Sequence, residues 1–96
     1  MIRHAALFRL HHPTGSAAEA DFLRALAALD SIPGVEDFRI ARETSPKNPY
    51  TYAVSMNFAD HAAYRHYNDH PQHVAFVQDR WLPEVAEFME HDTEAL

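Results

Sequence analysis

The segment YNDHPQHVAF, residues 67–76, places one tyrosine and two histidines around a proline. An imidazole that titrates near neutral pH can remove an acidic proton, and a nearby phenol can donate a hydrogen bond to the developing negative charge. Tyr67 and His73 are six residues apart, so on one unbroken helix they would point in different directions. Any joint chemistry of these two side chains therefore requires a break between them.

Pro71 predicts that break. Proline has no N–H and biases the preceding residue, His70, away from helical angles, but it suits the first turn of a new helix. We therefore predict two short helices joined at residues 68–70, called the elbow below, which would turn Tyr67 and His73 toward one pocket. The structural alternative is that His70 and His73 cap the second helix while Tyr67 is a core aromatic residue.

Hydrophobic periodicity predicts the elements around the elbow. Alternation of apolar and polar residues indicates strands at residues 2–10, 35–43, 50–58 and 84–92, with residues 93–96 as a frayed tail. His4 falls on the more apolar side of the first strand. Ser16 followed by Glu19 fits a capping box that opens a first helix, and Asp60 suits the N-cap of the helix before the elbow. The first helix has an apolar stripe of Phe22, Leu23, Leu26 and Leu29, and Pro83 is expected to end the helix after the elbow.

The order of these elements is βαββαβ, which predicts one α+β domain over residues 1–96 with a ferredoxin-like fold and an antiparallel sheet. Helices would cover one face of that sheet. The other face would carry a mixture of charged, polar and apolar residues: Arg3, Leu7, Arg9, Ala53 and Ser55. Because a half-apolar open face is commonly covered by a second copy, we expect a symmetric homodimer.

Composition excludes several classes of function. Eight Lys and Arg residues against fourteen Asp and Glu give a net charge of −6, which argues against nucleic acid or an anionic membrane surface as a partner. The absence of cysteine excludes disulfides, thiolate catalysis and cysteine-ligated metals. The amino terminus is too charged for a signal peptide and no apolar run is long enough to span a bilayer, so a cytoplasmic protein without a membrane partner is expected.

Metal and cofactor sites receive little support from the motifs. His66, His70 and His73 have the spacing of ligands on one helical face, but Pro71 disrupts that face and no HExxH pattern is present. The aromatic residues fall at the spacings that a packed core needs, and no Gly-rich phosphate loop accompanies them. We therefore predict neither a metal nor a cofactor.

Five segments together resemble one known family: RHAALFRL, IPGV, SPKNPYTYAVSMNFAD, YNDHPQHVAFV and WLPEV. They resemble the stress-responsive dimeric α/β-barrel domain, or Dabb domain, in the expected order over nearly the whole chain. The resemblance implies a ferredoxin-like protomer whose sheet pairs with that of a second subunit to form a dimeric α/β barrel. It implies no single biochemical role, because the role of most family members is unsettled.

Within this family the chain is similar to proteins of the olivetolic acid cyclase type, which close a polyketide chain by aldol chemistry without a cofactor. That similarity implies His73 as the acid/base residue, Tyr67 as the hydrogen-bond donor and His4 as a second polar or orienting group. Ala25 and Tyr52 stand where those proteins have a tyrosine and a histidine, so their substrate does not transfer to this chain.

Two functions follow as hypotheses. The first is a homodimer with an apolar pocket for a small apolar or aromatic ligand, in a binding or stress-protection role. The second is a cofactor-free acid/base enzyme, cyclase-like or less favourably monooxygenase-like, with catalytic residues His4, Tyr67 and His73. In both cases the expected pocket wall consists of Phe8, Tyr52, Val54, Met56, Phe76 and Trp81. The enzyme hypothesis predicts that His4, Tyr67 and His73 converge within hydrogen-bonding reach of an empty cavity large enough for a small aromatic or polyketide-like molecule. The binding or stress-protection hypothesis predicts instead that these side chains are tied to backbone groups and that no such cavity exists.

Overall fold

The fold is described from a computed structural model that covers all 96 residues. In chain order the elements are β1 (Ile2–Leu10), α1 (Ala17–Ala27), β2 (Glu36–Arg42), β3 (Tyr52–Phe58), α2 (His61–Asp69), α3 (Pro71–Phe76), α4 (Leu82–Glu84) and β4 (Val85–Glu94). A 3₁₀ turn, Ala28–Ser31, extends α1, and a π turn, Val77–Trp81, joins α3 to α4. The four strands form one antiparallel sheet in the order β2-β3-β1-β4. This confirms the predicted ferredoxin-like fold.

Strand β1 lies in the middle of the sheet and carries much of the core. Its predicted alternation is confirmed, because the buried side chains are Ile2, His4, Ala6, Phe8 and Leu10. The register places β3 residues opposite them on the same face, for example Val54 opposite Ala6 and Met56 opposite His4. Helix α1 packs its apolar stripe on this face, where Phe22, Leu26 and Leu29 are buried and Leu23 is half-buried at the edge.

Both predicted N-caps are present, but the capping box at α1 differs from the predicted one. Ser16 Oγ accepts a hydrogen bond from the Glu19 N–H at 3.1 Å. The Glu19 carboxylate, however, accepts from the Gly15 N–H at 3.0 Å rather than from the N–H of the cap residue. The Ser16 N–H donates instead to the Pro13 carbonyl at 3.1 Å, and the turn between them has Gly15 at a φ of 81°. At α2, Asp60 accepts from the Ala63 N–H at 2.8 Å, as expected.

The predicted break between two helices is confirmed, but it is confined to His70, because residues 68 and 69 belong to α2. Helix α2 ends at Asp69, His70 is extended with φ −63° and ψ 133°, and Pro71 is the first residue of α3. The His70 imidazole caps the second helix by accepting from the Gln72 N–H at 3.1 Å. A residue that precedes proline favours an extended conformation. The same conformation is typical of an N-cap residue, so His70 can serve both purposes.

Strand β3 begins at Tyr52 rather than at residue 50, and β2 and β4 begin one residue later than predicted. Two further predicted boundaries, both near the carboxyl terminus, were wrong. Strand β4 extends to Glu94, because Thr93 and Glu94 pair with Arg3 and Ile2 instead of forming a frayed tail. The helical segment after the elbow continues past Pro83 to Glu84. In a regular α-helix the ring of Pro83 would clash with the carbonyl four residues before it, and the wide π turn that precedes α4 relieves this constraint.

The second face of the sheet carries no helix. A row of apolar side chains crosses all four strands on this face, since Ala41 pairs with Ala53, Ala53 with Leu7 and Leu7 with Met89. We call Ala41, Ala53, Leu7 and Met89 the apolar row. Polar contacts flank it, including those from Arg3 to Ser55 at 3.0 Å and to Asn57 at 3.2 Å. No helix of the protein is long and apolar enough to cross a membrane.

Candidate functional site

A cavity of about 210 Å³ lies between the helices and the sheet. Its polar lining consists of His4, Tyr67, Asn68, His73 and Glu90. The remaining lining is apolar and comes from β1, α1, β3, the segment after the elbow and β4: Ala6, Leu26, Leu29, Val54, Met56, Phe76, Val77, Trp81, Leu82 and Phe88. The cavity is thus a largely apolar space with a small number of polar groups, which is the usual composition of a small-molecule site.

The elbow brings Tyr67 and His73 together. Their ring centroids are 4.3 Å apart, although the two residues lie on different helices. His73 Nδ1 lies 3.1 Å from the carbonyl oxygen of Asn68. A carbonyl can only accept a hydrogen bond, so Nδ1 carries the proton and Nε2 of the neutral ring carries the lone pair. Burial lowers the pKa of His73 below its ordinary value and so favours the neutral base, although the hydrogen bond to Asn68 acts in the opposite direction.

The Tyr67 hydroxyl is a free donor at the cavity. The residue is only 2% exposed, yet its hydroxyl has no hydrogen-bond partner in the protein. Because every fully buried polar side-chain atom has a partner, the hydroxyl must touch the space that the residue lines. Burial raises the pKa of Tyr67, so the phenol stays protonated and able to donate.

His4, which also lines the cavity, is held by a second cluster of polar residues. The register pairs His4 with Asp92 across β1 and β4, and His4 Nδ1 lies 2.5 Å from Asp92 Oδ1. Tyr64, on α2, donates its hydroxyl to Asp92 Oδ2 at 2.8 Å and lies 2.8 Å from the same His4 nitrogen. We call these three residues the His4–Asp92–Tyr64 triad.

The charges in the triad fix the orientation of the His4 imidazole. Burial raises the pKa of Asp92, but hydrogen bonds from His4 and Tyr64 outweigh it, so the pKa is lowered and the carboxylate is ionised. Burial and the neighbouring Asp92 raise the pKa of Tyr64, which keeps its hydroxyl protonated. An ionised carboxylate requires a proton on His4 Nδ1, so Nε2 is the ring atom left for the cavity.

The structure therefore brings His4, Tyr67 and His73 to one cavity. The ring centroids of His4 and Tyr67 are 6.3 Å apart, so the two side chains are neighbours in the wall of the cavity. The alternative in which the elbow histidines serve the backbone is correct in part, because His73 Nδ1 is bonded to the Asn68 carbonyl. The other ring nitrogen of His73, Nε2, has no partner in the protein.

Four of the six predicted wall residues line the cavity: Val54, Met56, Phe76 and Trp81. Phe8 and Tyr52 do not. Phe8 is fully buried and packs on Trp81 with ring centroids 5.1 Å apart. Tyr52 lies at the far end of β3 from the elbow, where the Arg42 guanidinium sits 5.6 Å from its ring centroid. Both residues lie on the helix-covered face of the sheet, at the end of β1 and β3 opposite to Phe58, whose ring packs beside Tyr67.

Sequence reasoning missed four polar residues of the site: Tyr64, Asn68, Glu90 and Asp92. A usable signal existed for three of them. Alternation along the last strand places Glu90 and Asp92 on one face. Tyr64 is three residues before Tyr67, which is one turn of the same helix. The pairing of Asp92 with His4 had no sequence signal, since the register of β1 against β4 is a tertiary property.

The other histidines do not form a metal site. His66 and His70 lie with ring centroids 5.8 Å apart, but the His70 Nδ1 atom is used as a helix cap. No group of three or more His, Asp or Glu side chains is arranged to hold a metal ion.

Comparison with known proteins supports the fold and points to a family. The model of the stress responsive A/B barrel domain, Dabb, matches residues 2–95. No curated protein sequence matches. A Dabb family protein with a ferredoxin-like fold from Mesorhizobium loti is 51% identical, with a TM-score of 0.96 over 99% of this chain and 96% of that chain.

More distant structures share the same fold. A dimeric ferredoxin-like protein of unknown function from Thermobifida fusca is 25% identical, with a TM-score of 0.80 over 98% of this chain and 90% of that chain. A hydroxynitrile lyase from Passiflora edulis is 14% identical, with a TM-score of 0.85 over 99% of this chain and 93% of that chain. At 14% identity, the similarity to the hydroxynitrile lyase concerns the fold alone.

Proposed function

This chain belongs to the stress responsive A/B barrel domain family, and we propose that it is a homodimer in which each protomer binds a small apolar or aromatic molecule in the cavity beside the elbow. The observation that carries the proposal is the cavity itself, with an apolar wall and three polar groups that have a free atom directed at it. A cavity of about 150 Å³ is large enough to bind benzene. A volume of about 210 Å³ therefore suits one ring with a small substituent.

The homodimer is supported by the helix-free face of the sheet. The apolar row would be left in water in an isolated protomer, and a second copy of the same face would cover it. The related protein from Thermobifida fusca is dimeric.

Trp81 offers a direct test of binding, because it is the only tryptophan of the chain and it lines the cavity. Titration with toluene or p-cresol is expected to change its fluorescence in a saturable way. Ala6→Leu, which places extra methyl groups in the cavity, should weaken this response. Ala20→Leu, a matched change on an exposed position of α1, should not. Absence of any saturable response in the wild-type protein would contradict the proposal.

A second candidate function is supported by the state of the polar groups. A neutral His73 with its lone pair on Nε2 beside a protonated Tyr67 is a base next to a hydrogen-bond donor, the pair needed to form and stabilise an enolate. A cofactor-free acid/base enzyme, cyclase-like rather than monooxygenase-like, is the function that this pair favours. The Passiflora edulis protein of the same fold is a lyase.

The enzyme candidate is tested with His73→Gln. A glutamine amide can still donate to the Asn68 carbonyl but cannot accept a proton at neutral pH. Turnover of an enolisable polyketide-type or aromatic substrate should be lost while the melting temperature stays within a few degrees. His66→Gln, on the exposed side of α2, serves as the control. Undiminished turnover in His73→Gln would rule out this role for His73.

A further inference from the structure

We propose that the cavity selects an uncharged single-ring molecule with an acidic hydroxyl group, a phenol or an enol, and excludes carboxylates. This inference rests on the proposed function, because it names the chemical class of the molecule that the cavity binds.

The charge of the lining disfavours an anionic ligand. No lysine or arginine is among the lining residues, and the one charged side chain is the carboxylate of Glu90. A second carboxylate, Asp92, lies directly behind His4. A ligand carboxylate would lose its hydration on entering and would find no cation to pair with, and burying an unpaired charge is costly.

The hydrogen-bonding atoms of the cavity define what the ligand must offer. Tyr67 presents a donor, and His4 and His73 each leave Nε2 free for a ligand, because their Nδ1 atoms are used on Asp92 and on the Asn68 carbonyl. A hydroxyl group can donate to an imidazole nitrogen and accept from the Tyr67 phenol at the same time. An ether or a carbonyl satisfies only Tyr67 and leaves a buried acceptor without a partner, which costs binding free energy.

The triad favours an acidic hydroxyl over an aliphatic alcohol. When a hydroxyl donates to His4 Nε2, positive charge develops on the ring, and the Asp92 carboxylate on Nδ1 stabilises it, as a buried aspartate does for an imidazolium in hydrolytic triads. Tyr67 stabilises the negative charge that develops on the ligand oxygen. Both contributions grow with the acidity of the hydroxyl, and phenols and enols are far more acidic than alkanols.

The experiment compares three ligands of similar shape on the full-length protein: p-cresol, 4-methylanisole and 4-methylbenzoate. Trp81 fluorescence and chemical-shift perturbation of the cavity residues report binding. We expect p-cresol to bind about tenfold more tightly than 4-methylanisole, the equivalent of one hydrogen bond. The benzoate should not bind at a hundred times the p-cresol dissociation constant.

The outcomes separate this inference from the proposed function. If none of the three ligands binds, both fail. If 4-methylanisole or 4-methylbenzoate binds as tightly as p-cresol, the cavity is a binding site but the selectivity proposed above is wrong.

Two variants test the residues that carry the argument. Glu90→Gln should allow detectable 4-methylbenzoate binding, whereas Glu94→Gln, the same change near the end of β4, should not. Asp92→Asn should reduce the preference for p-cresol over 4-methylanisole and should change the His4 tautomer seen by ¹⁵N NMR of the imidazole. An unchanged preference in Asp92→Asn would overturn the role given to the triad.

Discussion

His73 and His4 lie in the same cavity, but their Nδ1 atoms have chemically different partners. His73 donates to a neutral carbonyl, that of Asn68, whereas His4 faces the ionised carboxylate of Asp92. A neutral carbonyl fixes the orientation of an imidazole ring but stabilises its protonated form only weakly. A carboxylate fixes the orientation and also stabilises the protonated form. The two imidazoles should therefore respond differently to a ligand hydroxyl that donates to Nε2.

The first prediction concerns the titration of His73. Its pKa is lowered, chiefly by burial, so its NMR titration midpoint should lie below the ordinary value of about 6.5. As pH falls from that value toward the lower folded pKa, the unfolded chain binds more protons, so the free energy of unfolding decreases. His73→Gln should lose less stability than the wild type between pH 7 and pH 5. A midpoint above 6.5 would show that burial does not dominate at this site.

The second prediction concerns Tyr64, which combines a stacked ring and a charged hydrogen bond. The Tyr64 ring stacks on the Phe58 ring with centroids 5.0 Å apart, and the Tyr64 hydroxyl donates to Asp92. Tyr64→Phe keeps the stacking and removes the donor, so we expect a loss of about 1 kcal/mol in the free energy of unfolding. This figure is below the range of about 1.5–3 kcal/mol for a hydrogen bond to a charged partner, because the Asp92 side chain is 40% exposed.

Urea denaturation at pH 7 measures this loss. Tyr50→Phe, which removes a hydroxyl that makes no hydrogen bond, should change the stability by less than about 0.5 kcal/mol. Equal stability of Tyr64→Phe and the wild type would mean that the triad contributes nothing to folding.

At the scale of the elements, the elbow determines whether the site exists. The extended conformation of His70 and the cap on Gln72 separate α2 from α3, and only this break turns His73 back onto Tyr67. The π turn then directs Trp81 at the cavity. Arg80 holds that turn in place, because it donates to Glu84 at 2.6 Å and to Asp21 on α1 at 2.7 Å.

The third prediction concerns Pro71. Pro71→Ala frees the backbone of the unfolded chain and permits helical angles at His70, so we expect a stability loss of about 0.5–1 kcal/mol. Ligand binding should weaken as well, because His73 is no longer held against Tyr67. Pro46→Ala, in the loop before β3, should lose stability through the same effect on the unfolded chain. Its Trp81 fluorescence should still respond to ligand as in the wild type. Equal ligand binding by both variants would argue that the proline is dispensable for the site.

At the scale of the whole molecule, the sheet separates the cavity from the face proposed to form the dimer. One face carries the cavity and the helices, and the other carries the apolar row. Both the site and the proposed interface depend on the same central strand, since Ala6 lines the cavity and Leu7, the next residue, lies in the apolar row.

The fourth prediction tests the homodimer. Leu7→Lys places a charge in the middle of the apolar row, where a facing copy would bury it without a partner. Analytical ultracentrifugation should find a dimer for the wild type and a monomer for Leu7→Lys at micromolar concentration. Ala62→Lys, on an exposed position of α2, should stay dimeric. A monomeric wild-type protein would refute the proposed assembly directly.

Much of the fold was determined by the sequence itself. Alternation along β1 and β3, the caps Ser16 and Asp60 and the break at Pro71 are local effects of side-chain size, hydrogen bonding and a fixed φ angle. Because these act within a few residues, the element order and the ferredoxin-like fold followed from them, as did the proximity of Tyr67 and His73 across the elbow.

The tertiary structure alone decided the rest of the site. The partner of His4 depends on the register between β1 and β4, which joins residues 88 positions apart in the chain. The exclusion of Phe8 and Tyr52 from the cavity depends on where the helices lie over the sheet. Periodicity indicates which face of an element is buried, but not which of the buried residues borders an empty space, because that is set by how the separate elements pack together.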